Sequence, residues 1–231
     1  MGRRLARIEG FGPERVQPRM TRFIGPLMVL AAVACALPSV ASAQGNMRQP
    51  LTAQERRTLR QGHIVTRPST ERRGPLRLFG GTSYIVVDLP VDAVWRALTD
   101  RSSRYRHMLP QVHRAREISR NGDESREIRF EHEVGPIDAS YVLRFEYDPD
   151  ARTVVFRLAA NHPHDIRAAW GFFRVRATGD RTLVSFGAMV DVGDGLLTGS
   201  LQSRLHEWVL KIPWTFKQYL EGSGRRHYVA D

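Results

Sequence analysis

Apolar and polar side chains alternate with a period of two through most of the chain after residue 111. The stretch EIRFEHEV, residues 127 to 134, shows it most plainly. Ile128, Phe130, His132 and Val134 fall on one face of a strand, and Glu127, Arg129, Glu131 and Glu133 on the other. Glu131 and His132 therefore cannot meet at one ion from within this strand. The same period predicts strands over about 112–120, 124–134, 138–148, 152–160, 166–177 and 181–191. Turn residues separate them: Asn121-Gly122-Asp123, Gly135-Pro136, Asp148-Pro149-Asp150, the loop NHPHD, and Gly179-Asp180. This is the pattern of an antiparallel meander.

A β-branched run, SYIVVDL, comes before the meander and reads as a strand. Two short helical segments follow it. One is PVDAVWRALTD, opened by Pro90 and carrying Val94, Trp95 and Leu98 on one side; the other is RSSRYRHMLPQV, which ends near Pro110. At the other end of the chain the period changes to that of a helix. Leu201, Leu205, Trp208, Val209, Ile212, Phe216 and Leu220 share one face of SLQSRLHEWVLKIPWTFKQYLEG, and Pro213 bends that helix. Upstream, Thr52 and Glu55 form a capping box for a short helix that Gly62 stops. Residues 63–75 are polar and read as a connector with room for one short strand. The expected fold class is α+β: a seven-stranded antiparallel sheet, two short helices after its first strand, and one long C-terminal helix across it.

The pattern also predicts which side chains face that helix. Ile128, Phe130, His132 and Val134 belong to the set, with Ala139, Tyr141, Leu143 and Phe145 on the next strand. Val154, Phe156 and Leu158 follow, then Ala168, Trp170 and Phe172, and on the last strand Val184, Phe186, Ala188 and Val190. Phe172 and Phe173 are adjacent, so one of them is expected to face outward.

The residues VVDLPVDAVWRALTD followed by YRHMLPQV resemble the SRPBCC superfamily, which includes START lipid-transfer, polyketide cyclase/aromatase and coenzyme Q-binding domains. AAWGFF before TLVSF is similar to that family's late strand, and the closing amphipathic helix matches in place and length. The resemblance covers about residues 76 to 222. It implies a helix-grip fold, with the sheet wrapped around the last helix and an apolar cavity between them. It implies no particular ligand, because the superfamily has no shared catalytic set.

The N-terminus adds a different expectation. In MTRFIGPLMVLAAVACALPSVASA, Arg22 precedes an apolar stretch, Pro38 breaks it, and Ala41-Ser42-Ala43 is a small-x-small cleavage site. Residues 1–43 are thus expected to be an export signal, with Met20 an alternative start and the cut after Ala43. Pro26 and Pro38 speak against a membrane-spanning helix. Cys35, the only cysteine, lacks the Leu three residues earlier that lipid attachment favours; Ala32 stands there. Cleavage would leave a chain without thiols. It would also leave 29 basic and 22 acidic residues, a net charge of +7, compatible with transient contact with an anionic membrane surface. Nucleic acid is not expected, since the arginines alternate with glutamates and form no aromatic-interleaved stripe. The domain scheme is a signal (1–43), a helix and connector (44–75), a ligand-binding domain (76–222) and a polar tail (223–231).

His132 is the one titratable side chain placed in the apolar wall. It is either a general base or ligand anchor, or a neutral buried histidine bonded to Tyr141. Tyr141 is read the same two ways. His162, His164 and Asp165 cluster around Pro163, but no fourth ligand accompanies them, and no metal or other cofactor is expected. Ser185, Ser200 and Ser203 lack a nucleophile-elbow context. The reading is a monomeric, exported binding or transport protein for a hydrophobic small molecule such as a lipid, isoprenoid quinone or polyketide-like compound. The expected ligand contacts are Ile128, Phe130, His132, Tyr141, Leu143, Phe156, Trp170, Phe172, Phe186, Leu205, Trp208 and Ile212. Two rivals stand beside it. One is a cyclase/aromatase-like enzyme using His132 and Tyr141 as acid/base groups; the other is an interaction module whose large inward side chains fill the cavity.

Overall fold

Turn residues between the alternating segments leave each strand its chain neighbour to pair with, and the computed structural model shows that meander closing back onto the start of the domain. It describes residues 49–229 apart from 101, 110, 135–136 and 194–199, with the backbone alone at 103, 134, 137 and 200–202. The export signal and Cys35 lie outside the described residues. In chain order the elements are α1 (Ala53–Arg60), β1 (Val65–Arg73), β2 (Leu76–Val87), α2 (Val91–Thr99), a 3-10 turn (Ser102–Arg104) and α3 (Tyr105–Met108). Then come β3 (Val112–Asn121), β4 (Ser125–Val134), β5 (Ile137–Asp148), β6 (Thr153–Leu158), β7 (Ala168–Thr178), β8 (Arg181–Asp191), α4 (Ser200–Glu221) and a last 3-10 turn (Arg225–His227). The strands form one antiparallel sheet in the order β1-β2-β8-β7-β6-β5-β4-β3. The architecture is the expected one, with eight strands where seven were read.

The extra strand is β1, from the stretch read as a connector. Its sequence, VTRPSTERR, has one apolar residue facing in and carries Pro68, so hydrophobic alternation does not announce it. It lies at the sheet edge, where a proline costs no ladder bond on the open side. β2 begins earlier than the β-branched run, passing through Gly80 and Gly81 at φ 149° and 130°. A Cβ on Gly80 would lie 2.0 Å from the Ala188 carbonyl oxygen, so glycine is required where β2 crosses β8.

α4 packs on one face of the sheet and is buried unevenly. In its first half Leu205, Trp208, Val209 and Ile212 are half-buried; in its second half Phe216, Tyr219 and Leu220 are in the core. Pro213 separates the halves and has no N–H for the Val209 carbonyl. The second half is fastened by Lys217, whose buried Nζ donates to the Val86 carbonyl at 2.8 Å and to Glu221 Oε1 at 2.6 Å. The first half is tied by His206, 2.6 Å from the Gly80 carbonyl. The segment read as a polar tail is also anchored: Tyr228 is buried, its hydroxyl donates to Asp100 at 2.9 Å, and Arg96 donates to its carbonyl.

The inward set on β7 needs correction by one residue. Trp170 and Phe172, with Ala168, lie on the opposite face of the sheet in a second cluster with Leu78 and Met189. Ala169, Phe173 and Val175 face α4. Cross-strand glycines set this phase. Gly187, paired with Phe172, has no side chain, and the Phe172 ring lies where its Cβ would be, at 2.3 Å. On the α4 side Phe156 occupies the space over its partner Gly171 in the same way. Neither Phe172 nor Phe173 reaches solvent, since each face of β7 has its own apolar layer.

Candidate ligand cavity

Beside the His206 tie, side chains of the sheet and of the first half of α4 pack incompletely. They leave a cavity with about 200 Å³ of free space. Its walls are aromatic and aliphatic: Phe130, Tyr141, Leu143 and Phe145 from β4 and β5, Phe156 from β6, Phe173 from β7, and Phe186 and Ala188 from β8. Leu205, Trp208, Val209, Ile212 and Phe216 close it from α4, and Leu98, Tyr105 and Met108 from the short helices. The rings form a connected chain, with Phe145–Phe156 centroids 5.8 Å apart, Phe156–Phe186 6.2 Å and Phe173–Phe186 4.7 Å. Such ring pairs add to the area they bury.

The structure brings Phe130, His132, Tyr141, Leu143, Phe156, Phe186, Leu205, Trp208 and Ile212 to this one cavity. Ile128 is fully buried on the same side but lies in the core rather than in the lining. Trp170 and Phe172 face away, as corrected above. Several lining residues went unread: Phe79, hidden in a glycine-rich tract; Tyr105 and Met108, on a one-turn helix; and Ala169 and Phe173, lost with the phase of β7. Spacing three residues apart within YRHMLPQV was too short a signal to point anywhere.

Arg126 lies outside the lining. It sits on the inward face of β4 and is buried, donating to the Thr99 and Asp100 carbonyls at 2.8 and 3.0 Å. A guanidinium there serves the unpaired carbonyls at the end of α2. Its far side lies over the Tyr147 ring, 5.1 Å from the centroid. The lining holds one polar pair. His132 Nε2 is 2.7 Å from the Tyr141 hydroxyl. In the β4–β5 register His132 is opposite Ala139 and Phe130 opposite Tyr141, so the two are diagonal neighbours on one face. Burial pulls the His132 ring below its ordinary pKa of 6.5, and a backbone hydrogen bond at Gln111 partly offsets this. Burial pushes the Tyr141 hydroxyl well above its ordinary value. Gln111 itself has φ 60°, a left-handed conformation uncommon for a residue that is not Gly, Asn or Asp.

Among the described residues the lining contains no Arg, Lys, Asp or Glu. The His-x-His-Asp cluster does not converge: His162 meets Glu127 at 3.0 Å, His164 the Ile166 carbonyl at 2.7 Å, and Asp165 accepts from the Ser140 N–H at 2.7 Å. Among the described residues no group of three potential ligands is placed to hold a metal ion. Nor, among them, is any helix long and apolar enough to cross a membrane.

No family model and no curated protein matches the sequence. Solved structures do match in fold. An aromatase/cyclase from Streptomyces sp. R1128 superposes with a TM-score of 0.52 at 17% identity, over 73% of this chain and 98% of that one. A START superfamily protein from Mycobacterium smegmatis gives 0.50 at 16%, over 61% and 95%. A STAR-related lipid transfer protein fragment from Xanthomonas axonopodis gives 0.50 at 14%, over 68% and 98%. The chain thus has the START-like helix-grip fold. At these identities the likeness concerns the fold alone.

Proposed function

We propose that this protein binds and carries a hydrophobic small molecule in the cavity between its sheet and α4. The observation that carries the reading is a partly open, nearly all-apolar cavity with one hydrogen-bonding pair and no charged side chain among the described residues of its wall. Large side chains fill part of the space, yet about 200 Å³ stays open. An apolar cavity of about 150 Å³ holds one benzene ring, and drug-sized ligands occupy about 300–1,000 Å³. The cavity therefore suits a ring-sized or short-chain molecule as it stands. A longer lipid needs the half-buried first half of α4 to move. The driving force is removal of apolar surface from water, about 25 cal/mol per Å² before ordering costs. The START and lipid-transfer neighbours fit such a role by analogy of fold. Native mass spectrometry of protein purified from its own host tests the reading. A co-purifying small molecule is expected on the wild type and absent from Ala139→Phe, which fills the cavity from β5. Bare wild-type protein that also takes up no added apolar compound would count against it.

Export and membrane contact complete the proposal. Residues 1–43 serve as the signal, so the mature chain starts at Gln44 and works outside the cytoplasm. Among the described residues Trp214, 45% exposed on α4, is the large apolar side chain available to an anionic bilayer surface, which the net positive charge favours.

A second reading, acid/base catalysis in the manner of an aromatase/cyclase, is favoured by the His132–Tyr141 contact. Burial weighs against it. It strengthens the hold of the tyrosine on its proton and weakens that of the histidine, so burial disfavours the charged form of each. His132→Gln separates the two readings. A carrier keeps its affinity within about tenfold, one neutral hydrogen bond. A catalyst keeps affinity and loses about 10²–10⁴ in turnover of the bound compound.

A further inference from the structure

Arginine is spread along the strands with glutamate beside it, but at one place basic side chains gather from several elements without acidic ones. There the 3-10 turn before α3, α3 itself, β3 and the end of α4 with the turn after it border an open concavity of about 570 Å³. Arg104, Arg106, Arg114 and Arg226 line it, and among the described residues the lining contains no Asp or Glu. His107, His113 and His227 stand among them. An imidazole offers an N–H whether neutral or charged.

Each element delivers its basic residues for a local reason. α3 is a single turn whose Tyr105 and Met108 enter the core, which leaves Arg106 and His107 exposed. On β3 a bulge between Val112 and Arg114 lets two consecutive residues, His113 and Arg114, reach solvent before Ala115 returns to the core. After α4 the Gly224 N–H donates to the Tyr219 carbonyl at 2.8 Å, and the chain turns to bring Arg226 and His227 to the same place.

Two of these groups are held in position. Arg104 Nε is 2.9 Å from Asp100, and its guanidinium lies over the Tyr228 ring, 5.7 Å from the centroid. His107 stacks on Tyr219 with ring centroids 5.8 Å apart. Asp100 is spent on Arg104 and on the Tyr228 hydroxyl, and Glu133 meets His113 at 3.5 Å. Arg106, Arg114 and Arg226 are exposed, and among the described residues no carboxylate lies at ion-pair distance from them. Like charges gathered in this way repel one another, and an anion between them removes that repulsion. A terminal phosphate suits the arrangement better than a carboxylate does. It carries about two negative charges at neutral pH, and its oxygens accept from several guanidinium forks at once.

We propose that this concavity binds a terminal phosphate group, carried by a soluble molecule or by a lipid headgroup. The site lies outside the apolar cavity, and the proposal does not rest on the carrier reading.

Two triple variants test it. One neutralises the site (Arg106→Gln, Arg114→Gln and Arg226→Gln). The other removes the same charge elsewhere (Arg57→Gln, Arg60→Gln and Arg72→Gln). All six arginines are exposed, so both variants should keep the wild-type melting temperature. Inorganic phosphate and acetate are titrated calorimetrically at pH 7.5 in about 0.1 M salt. Sedimentation is measured with phosphatidylcholine vesicles carrying phosphatidic acid or, at matched surface charge, oleate. Phosphate is expected to bind the wild type, about tenfold more weakly the site variant, and within about twofold of wild type the control variant. That result supports the site with a soluble phosphate. Phosphatidic acid vesicles that bind the wild type and not the site variant, without binding of free phosphate, support it with the lipid headgroup as the source. Equal losses in the two variants would reduce the effect to net charge and overturn the site. So would acetate or oleate vesicles that match their phosphate counterparts. Vesicle binding that survives in the site variant would belong to another surface, such as that of Trp214, and would count against this one. Binding of neither phosphate nor phosphatidic acid vesicles by the wild type defeats the proposal and leaves the cavity reading untouched.

Discussion

Phe130 and Glu131 are neighbours in sequence on opposite faces of β4. Phe130 is 1% exposed and stacks on Tyr105 and Tyr141; Glu131 lies on the far face, half-buried. Truncating Phe130 to alanine should cost about 3–5 kcal/mol, and truncating Glu131 about 0.5 kcal/mol or less, measured as the difference in urea unfolding midpoints. Equal costs would mean that the faces are misassigned. His132 adds a pH dependence. Its folded pKa lies below the unfolded value of about 6.5. As pH falls through 6.5 the unfolded chain takes up a proton that the folded one refuses, and stability drops until the folded pKa is reached. Wild-type protein should therefore lose stability between pH 7.5 and 5 by more than His132→Gln does. Alternation alone put His132 and Tyr141 on one face. Their contact depended on the β4–β5 register, which pairs Phe130 with Tyr141.

Elements were legible to the extent that their own residues carry the signal. α1 is an example: the capping box seen at Thr52 and Glu55 is present, with both reciprocal hydrogen bonds. What the sequence did not announce is that Glu55 also holds Arg67 on β1, at 2.7 Å. The Arg67 hydrogen bond first, and then the Thr52 backbone, hold the Glu55 carboxyl at about 2, against an ordinary 4.5. Its contribution is present above pH 4.5 and fades as the pH falls toward 2. The pair is near the surface, so Glu55→Gln should cost only about 1 kcal/mol at pH 7. Wild type and variant should converge in thermal melts near pH 2. β7 is the opposite example. Its AAWGFF offers large aromatics in either phase, and the choice was made by a glycine on the neighbouring strand. Gly187→Ala would push a methyl group into the buried Phe172 ring and is expected to cost about 1–3 kcal/mol. An unchanged melting curve would show the ring free to move aside.

At the scale of the whole molecule, the proposed export makes the plainest prediction: N-terminal sequencing of the protein recovered outside the cytoplasm should begin at Gln44. A chain beginning at an acylated Cys35 would replace it with a lipid-anchored form. The order of elements, the meander and the amphipathic last helix were all determined locally, because strand and helix periods are properties of consecutive residues and turns are made by the residues within them. The START-like architecture follows from that order, since one helix and one sheet have few ways to bury both apolar faces. Three things were decided only by tertiary structure. β1 is a strand because β2 offers it an edge, although its own residues are mostly polar. Trp170 and Phe172 leave the cavity because space on the other face was held open by Gly187. The cavity itself exists because side chains from the sheet, the short helices and α4 surround a space that none of them fills, and a gap between packed side chains is written in no single element. Free volume is a difference between what surrounds a space and what fills it, so sequence could name the wall while only the packed fold could leave it open.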